Sequence, residues 1–172
     1  MIVLGKGSGS VVPDDGVERI ARRAISARQA LNEAPDYGSA FSRGLRVELG
    51  GATMLLISGT ASVDEKGATV HVGDFGAQTR RTYQNITALL EAEGASWKDV
   101  VRTTCYLRDI ERDYAQFNRI RTEFYRRQGL DPLPASTGIQ AILCRPDLLI
   151  EIEAMAVVPA GRASQRPALG RP

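Results

Sequence analysis

Two glutamates, Glu151 and Glu153, interrupt the apolar run Leu148-Leu149-Ile150-Glu151-Ile152-Glu153-Ala154-Met155-Ala156-Val157. Side chains alternate faces along a strand, so Ile150, Ile152 and Ala154 share one face and the two carboxylates share the other, about 7 Å apart. Charge beside so much Leu, Ile and Val is costly unless that face meets water, a cation or a substrate. Two readings stay open: a solvated or salt-bridged outer face, and a polar cleft in which Glu151 handles a proton. Two turns precede the strand. The first, Pro134-Ala135-Ser136-Thr137-Gly138-Ile139-Gln140, offers the Ser136 hydroxyl and the Thr137-Gly138 backbone to a ligand's polar head, or is an ordinary turn after Pro134. The second, Cys144-Arg145-Pro146-Asp147, offers Arg145 as a cation for a carboxylate or as a partner for Asp147. Upstream, Tyr37 brings a hydroxyl to a cleft or a ring to the core. Gly59, just after the run Met54-Leu55-Leu56-Ile57, lets the backbone approach another group closely.

Composition narrows the chemistry. A chain of 172 residues, 43% hydrophobic with a net charge of +2, suits one domain with a real core and rules out wholesale disorder. With a single histidine, His71, the usual zinc and Ser-His-Asp constellations lack parts. His71 itself is expected in a solvent-facing turn. Cys105 and Cys144 lack Cys-x-x-Cys spacing and are expected as reduced, buried small residues. No apolar run nears the roughly 18 to 20 residues that span a bilayer, and the patch at residues 1–6 is too short for a signal peptide. A cytoplasmic protein with no membrane partner is therefore expected. Paired arginines at 22–23, 80–81 and 126–127 lack an interleaved aromatic platform, so nucleic acid is not the expected partner.

The elements follow from periodicity. Residues 1–12 read as a flexible lead, after which Asp14 and Asp15 cap a helix ended by Pro35. Its apolar stripe is Val17, Ile20, Ala24, Ala27 and Leu31, and Arg19, Arg22, Arg23 and Arg28 form a solvated face. Strands are predicted over 45–49 and 54–57, a hairpin or ordered loop over 61–75, and the clearest helix over 76–93. A strand over 100–107 leads to a second helix that starts at Asp109 and closes at Gly129. From residue 159 the chain is a basic, breaker-rich tail. Residues 1–36 are thus lead and helix, 37–158 the domain and 159–172 the tail. The domain is α+β, one sheet with both helices on a single face. Its other apolar face calls for copies of itself, so an oligomer is expected.

Tyr37-Gly38-Ser39-Ala40, Ile57-Ser58-Gly59-Thr60, Gln78, Asn85, Gly94, Phe117-Asn118, Pro134-Ala135 and Glu151-Ile152-Glu153-Ala154 fall in an order and spacing that resembles the Rid (YjgF) family. The resemblance spans about residues 37–157. It implies a chorismate-mutase-like α+β subunit, a homotrimer and small-molecule clefts between subunits. It also implies cofactor-free hydrolysis of 2-imino acids to 2-keto acids and ammonia. Members with that activity carry an arginine directly after Pro-Ala, where this chain has Ser136. An arginine grips a carboxylate with two charge-assisted hydrogen bonds, and a serine offers one neutral donor.

A second resemblance is to the C-terminal half of the chorismatases, carried by Ser58-Gly59-Thr60-Ala61-Ser62, His71-Val72-Gly73-Asp74 and Cys144-Arg145-Pro146-Asp147-Leu148-Leu149-Ile150-Glu151. It implies an enol ether as substrate, with Arg145 on a carboxylate and Glu151 as the acid. The combined expectation is a hydrolase or deaminase acting on a small carboxylate-bearing substrate, with Glu151 catalytic. Ser136, Thr137, Gly138, Arg145, Tyr37 and Gly59 would bind that substrate. The alternatives are chorismatase-like cleavage and a binding protein that keeps the scaffold without the chemistry.

Overall fold

The computed structural model describes residues 20–160, so the expected lead, the start of the N-terminal helix and residues 161–172 lie outside the described residues. Six strands form one mixed sheet in the order β1-β2-β3-β6-β4-β5. They are β1 (Arg22–Ala24), β2 (Gly44–Glu48), β3 (Ala52–Ala61), β4 (Val100–Leu107), β5 (Ala135–Gln140) and β6 (Ile150–Pro159). Helix α1 (Phe75–Glu91) joins β3 to β4, and α2 (Ile110–Arg127) joins β4 to β5. Crossing over through α2 makes β5 parallel to β4, while the other pairs are antiparallel.

Alternation sets the layers. Leu55, Ile57, Cys105, Leu107, Ile152, Ala154 and Ala156 point to one face and pack in a single core with Ile86, Leu89 and Leu90 of α1 and Phe117, Ile120 and Tyr125 of α2. Tyr83, Trp97 and Phe124 fill the far end, Tyr83 stacked on Phe124 at 4.3 Å. Both helices start where aspartates accept backbone N–H groups, Asp74 from Ala77 and Asp109 from Arg112. The opposite sheet face, with Leu45, Leu56, Met155 and Arg102, carries no helix among the described residues and holds a depression.

Two expectations need correction. Residues 22–24 are a strand on the edge of β2, not part of a helix, so the sheet begins before residue 37. Ile25 and Leu31 are fully buried while Ile20 is 62% exposed, which breaks the helical stripe. Arg23, expected on a solvated face, grips the fully buried Glu93 with both Nη atoms at 2.8 and 2.5 Å, and Arg46 lies 3.6 Å from the same carboxylate. A buried carboxylate at the end of α1 demands a cation, and extended pairing with β2 delivers one; that demand outweighs local helix preference. The second correction is the stretch after Pro134, which is not a turn but strand β5. Every residue of β5 is exposed, because its outer edge has no partner strand among the described residues. Among the described residues no helix is long and apolar enough to cross a membrane.

Candidate active site

Glu151 stands opposite Tyr106 of β4 and Ala61 of β3, on the sheet face away from the helices. A β-bulge falls between Ile57 and Thr60, and its Gly59 supplies the notch that the carboxylate occupies. A Cβ built on Gly59 would lie 1.9 Å from Glu151 Oε1. This is the close approach expected of Gly59, and its partner is the carboxylate itself. Burial pushes the Glu151 carboxyl up from its ordinary value, the charge of Glu153 adds to the rise, and Arg43 opposes it. Tyr106 is also pushed up, first by burial and then by Glu153, whose carboxylate also bonds it.

A cleft of about 560 Å³ opens in front of Glu151, lined by Tyr37, Arg43, Gly59, Cys144, Arg145 and Glu153 among others. Tyr37 ends a short 3₁₀ turn, Ala34–Tyr37, and its ring has two cations near it. Arg43 Cζ lies 5.5 Å and Arg145 Cζ 5.8 Å from the ring centroid. Sequence reasoning missed Arg43. It is 6% exposed, and its Nε and Nη2 donate to the Asn32 carbonyl and Oδ1 at 2.7 and 2.8 Å. Arg145 does not pair with Asp147; its Nη1 donates to the Gly67 carbonyl at 2.6 Å. The loop bearing Arg145 is tied down by Gln78, fully buried on α1, which donates to the Asp147 carbonyl and accepts from Leu149 N–H, both at 2.8 Å. Asn85, two turns further on, donates to the Ala61 and Val63 carbonyls at 2.9 Å and fixes the end of β3. These two amides position the cleft without touching it. Cys144, expected to be buried, is an exposed free thiol at the cleft wall, whereas Cys105 is buried and free. His71 is exposed in a turn at φ 60°.

Tyr37, Gly59, Arg145 and Glu151 therefore converge, but Ser136 and Gly138 do not join them. Ser136 pairs with Thr103, on the helix-facing side of the sheet, and lines a separate groove of about 560 Å³ between β5 and α2. Thr137 pairs with Thr104, on the face that carries Glu153. Sequence reasoning also missed Arg121 of α2, which donates to Ser136 Oγ at 3.1 Å. Its three-residue spacing from Asn118, to which it also donates, was the available signal. Among the described residues no group of three or more His, Cys, Asp and Glu side chains could hold a metal ion.

Comparison with known proteins agrees with this architecture. The profile of the family described as Endoribonuclease L-PSP matches residues 31–158. The 3-aminoacrylate deaminase RutC of Acinetobacter baylyi is 37% identical over 105 residues, covering 61% of this chain and 79% of that protein. A RutC family protein of Pyrococcus horikoshii is 37% identical over 102 residues, 59% of this chain and 77% of that one. The crystal structure of the YjgF gene product of E. coli superposes with a TM-score of 0.65 at 29% identity, covering 78% of this chain and 98% of that chain. E. coli TdcF with bound serine superposes with a TM-score of 0.66 at 26% identity, over 79% and 98%. In sequence and in fold, this chain belongs to the Rid (YjgF) family.

Proposed function

We propose that the protein is a cofactor-independent cytoplasmic hydrolase that deaminates a small carboxylate-bearing imine or enamine, in clefts shared between the subunits of a homotrimer. The observation that carries this reading is Glu151, a carboxyl group notched against Gly59, with its pKa raised by burial and facing an open cleft. A carboxylate that holds a proton more tightly than usual is a better base toward water, and can pass that proton on to the leaving nitrogen. The deamination named for the Acinetobacter relative is of this type.

The chemistry balances with one carboxylate. Water adds to the carbon of the protonated imine while Glu151 takes one proton from the water and the C=N electron pair moves to nitrogen. The carboxyl group then gives that proton to the amino nitrogen. Ammonia leaves as the hydroxyl oxygen forms the C=O bond, and the hydroxyl proton goes to solvent. Arg43 and Tyr37 line the cleft, and the charge of Arg43 acts on the Glu151 carboxylate. A neighbouring copy supplies the missing wall: β5 is an exposed edge, and the sheet separates its Ser136 from Glu151 of the same chain. The bare apolar face around Leu45, Leu56 and Met155 favours packing against such a copy.

The test is the rate of loss of freshly generated 2-iminopropanoate in competition with semicarbazide. Acceleration by the wild type that falls by about 10² or more in Glu151→Gln supports the proposal. A wild type that binds the 2-keto acid without accelerating hydrolysis makes it a binding protein instead.

A further inference from the structure

We propose that the carboxylate-binding cation of this chain is Arg121, carried to the edge strand by helix α2, with Ser136 as the residue that positions it. The proposal rests on the substrate class argued above and assigns the group that recognises it. Ser136 Oγ accepts from Arg121 Nη1 and from Thr103 Oγ1, each at 3.1 Å. Arg121 Nη2 donates to Asn118 Oδ1 at 2.7 Å, and its Cζ lies 4.9 Å from the ring of the buried Phe117. All these partners are neutral. Among the described residues Arg121 has no carboxylate partner.

A guanidinium fixed by two neutral acceptors and one ring keeps its charge for an anion. The groove it faces, about 560 Å³, is also lined by Tyr114, Leu133 and Pro134. That mixture fits a small acid with a carbon chain better than a bare inorganic anion. The serine at 136 is then one half of an exchange: the strand gives up its cation and presents an oxygen that orients a cation from the helix. An arginine added at 136 would bring two guanidinium groups together, and like charges at that range repel.

Titration calorimetry on the full chain with pyruvate, methyl pyruvate and inorganic phosphate tests this assignment. The wild type is expected to bind pyruvate more tightly than the ester or phosphate. Arg121→Gln should weaken pyruvate about tenfold or more and leave the ester unchanged, with Arg121→Lys between. Ser136→Arg alone should not improve pyruvate binding, whereas Arg121→Gln combined with Ser136→Arg should restore it. Equal pyruvate affinity in wild type and Arg121→Gln, or no preference of the wild type for pyruvate over its ester, overturns the assignment. Arg121-dependent binding without imine hydrolysis keeps the assignment and removes the deaminase reading. Hydrolysis with an unchanged KM in Arg121→Gln does the reverse.

Discussion

The cleft at Glu151 and the groove at Arg121 lie on opposite faces of one sheet and are made by opposite means. The cleft is a product of irregular backbone: a bulge at Gly59, a 3₁₀ turn ending at Tyr37 and a loop carrying Arg145. The groove is made of regular elements, a helix presenting Asn118 and Arg121 beside an edge strand presenting Ser136. The contrast follows from what each charge needs. A carboxyl group that trades protons must be partly desolvated beside another charge, and a regular sheet surface does not provide that. An arginine that binds an anion is ionised anywhere and needs only a rigid mount.

The strongest way to break this division is Gly59→Ala. Its new Cβ would lie 1.9 Å from Oε1 and 2.9 Å from Cδ of Glu151, so the carboxylate has to leave its notch. Imine hydrolysis is expected to fall by about 10² or more, while pyruvate affinity changes by no more than about threefold. Hydrolysis rates and calorimetry on the same preparation separate the two effects. Equal losses in both would show that one region does both jobs.

Gln78→Met is expected to act next most strongly, and on one side only. Removing the amide leaves the Leu149 N–H and the Asp147 carbonyl without their buried partner, at a cost of about 2 kcal/mol. The loop that places Arg145 loosens, and hydrolysis should drop by about tenfold. Asn118→Ala removes a single bond from an exposed side chain and should cost less than about 1 kcal/mol. Denaturant melts of the two variants compare how tightly each region is held.

How much of this was legible in the sequence differs between the two regions in the same way. Alternation along 150–157 placed both glutamates on one face, and capping aspartates with apolar stripes located both helices, because these signals are local. The N-terminal strand was not legible, since Arg23 is extended in order to reach Glu93, seventy residues away. Strand β5 was hidden by Ser, Thr and Gly, residues of turn chemistry that become a strand only when β4 offers an edge. The close approach at Gly59 was legible from its missing side chain, but its partner was not. Ser136 was legible only as a departure from its family. That a helix cation meets it depends on how α2 packs over the sheet, which sequence periodicity does not specify.

The smallest expected effect, and the finest test of the comparison, is the pH dependence of stability. Burial and the charge of Glu153 raise the Glu151 pKa in the folded protein, with Arg43 acting against them. The folded state therefore holds this proton more tightly than the unfolded chain does. That contribution to stability is fully present below the ordinary carboxyl value of 4.5 and is lost as pH rises through the raised one. Glu151→Gln has no proton to lose, so its melting temperature should match the wild type at low pH and climb relative to it as the pH rises through that window. Arg121→Gln should show a constant offset over the same range, because the side chains it donates to, Ser136 and Asn118, have no proton to gain or lose there. Thermal melts of the three proteins across that range decide the matter. A flat difference for Glu151→Gln would mean that its carboxyl group is as well solvated as any on the surface, and the contrast between cleft and groove would disappear.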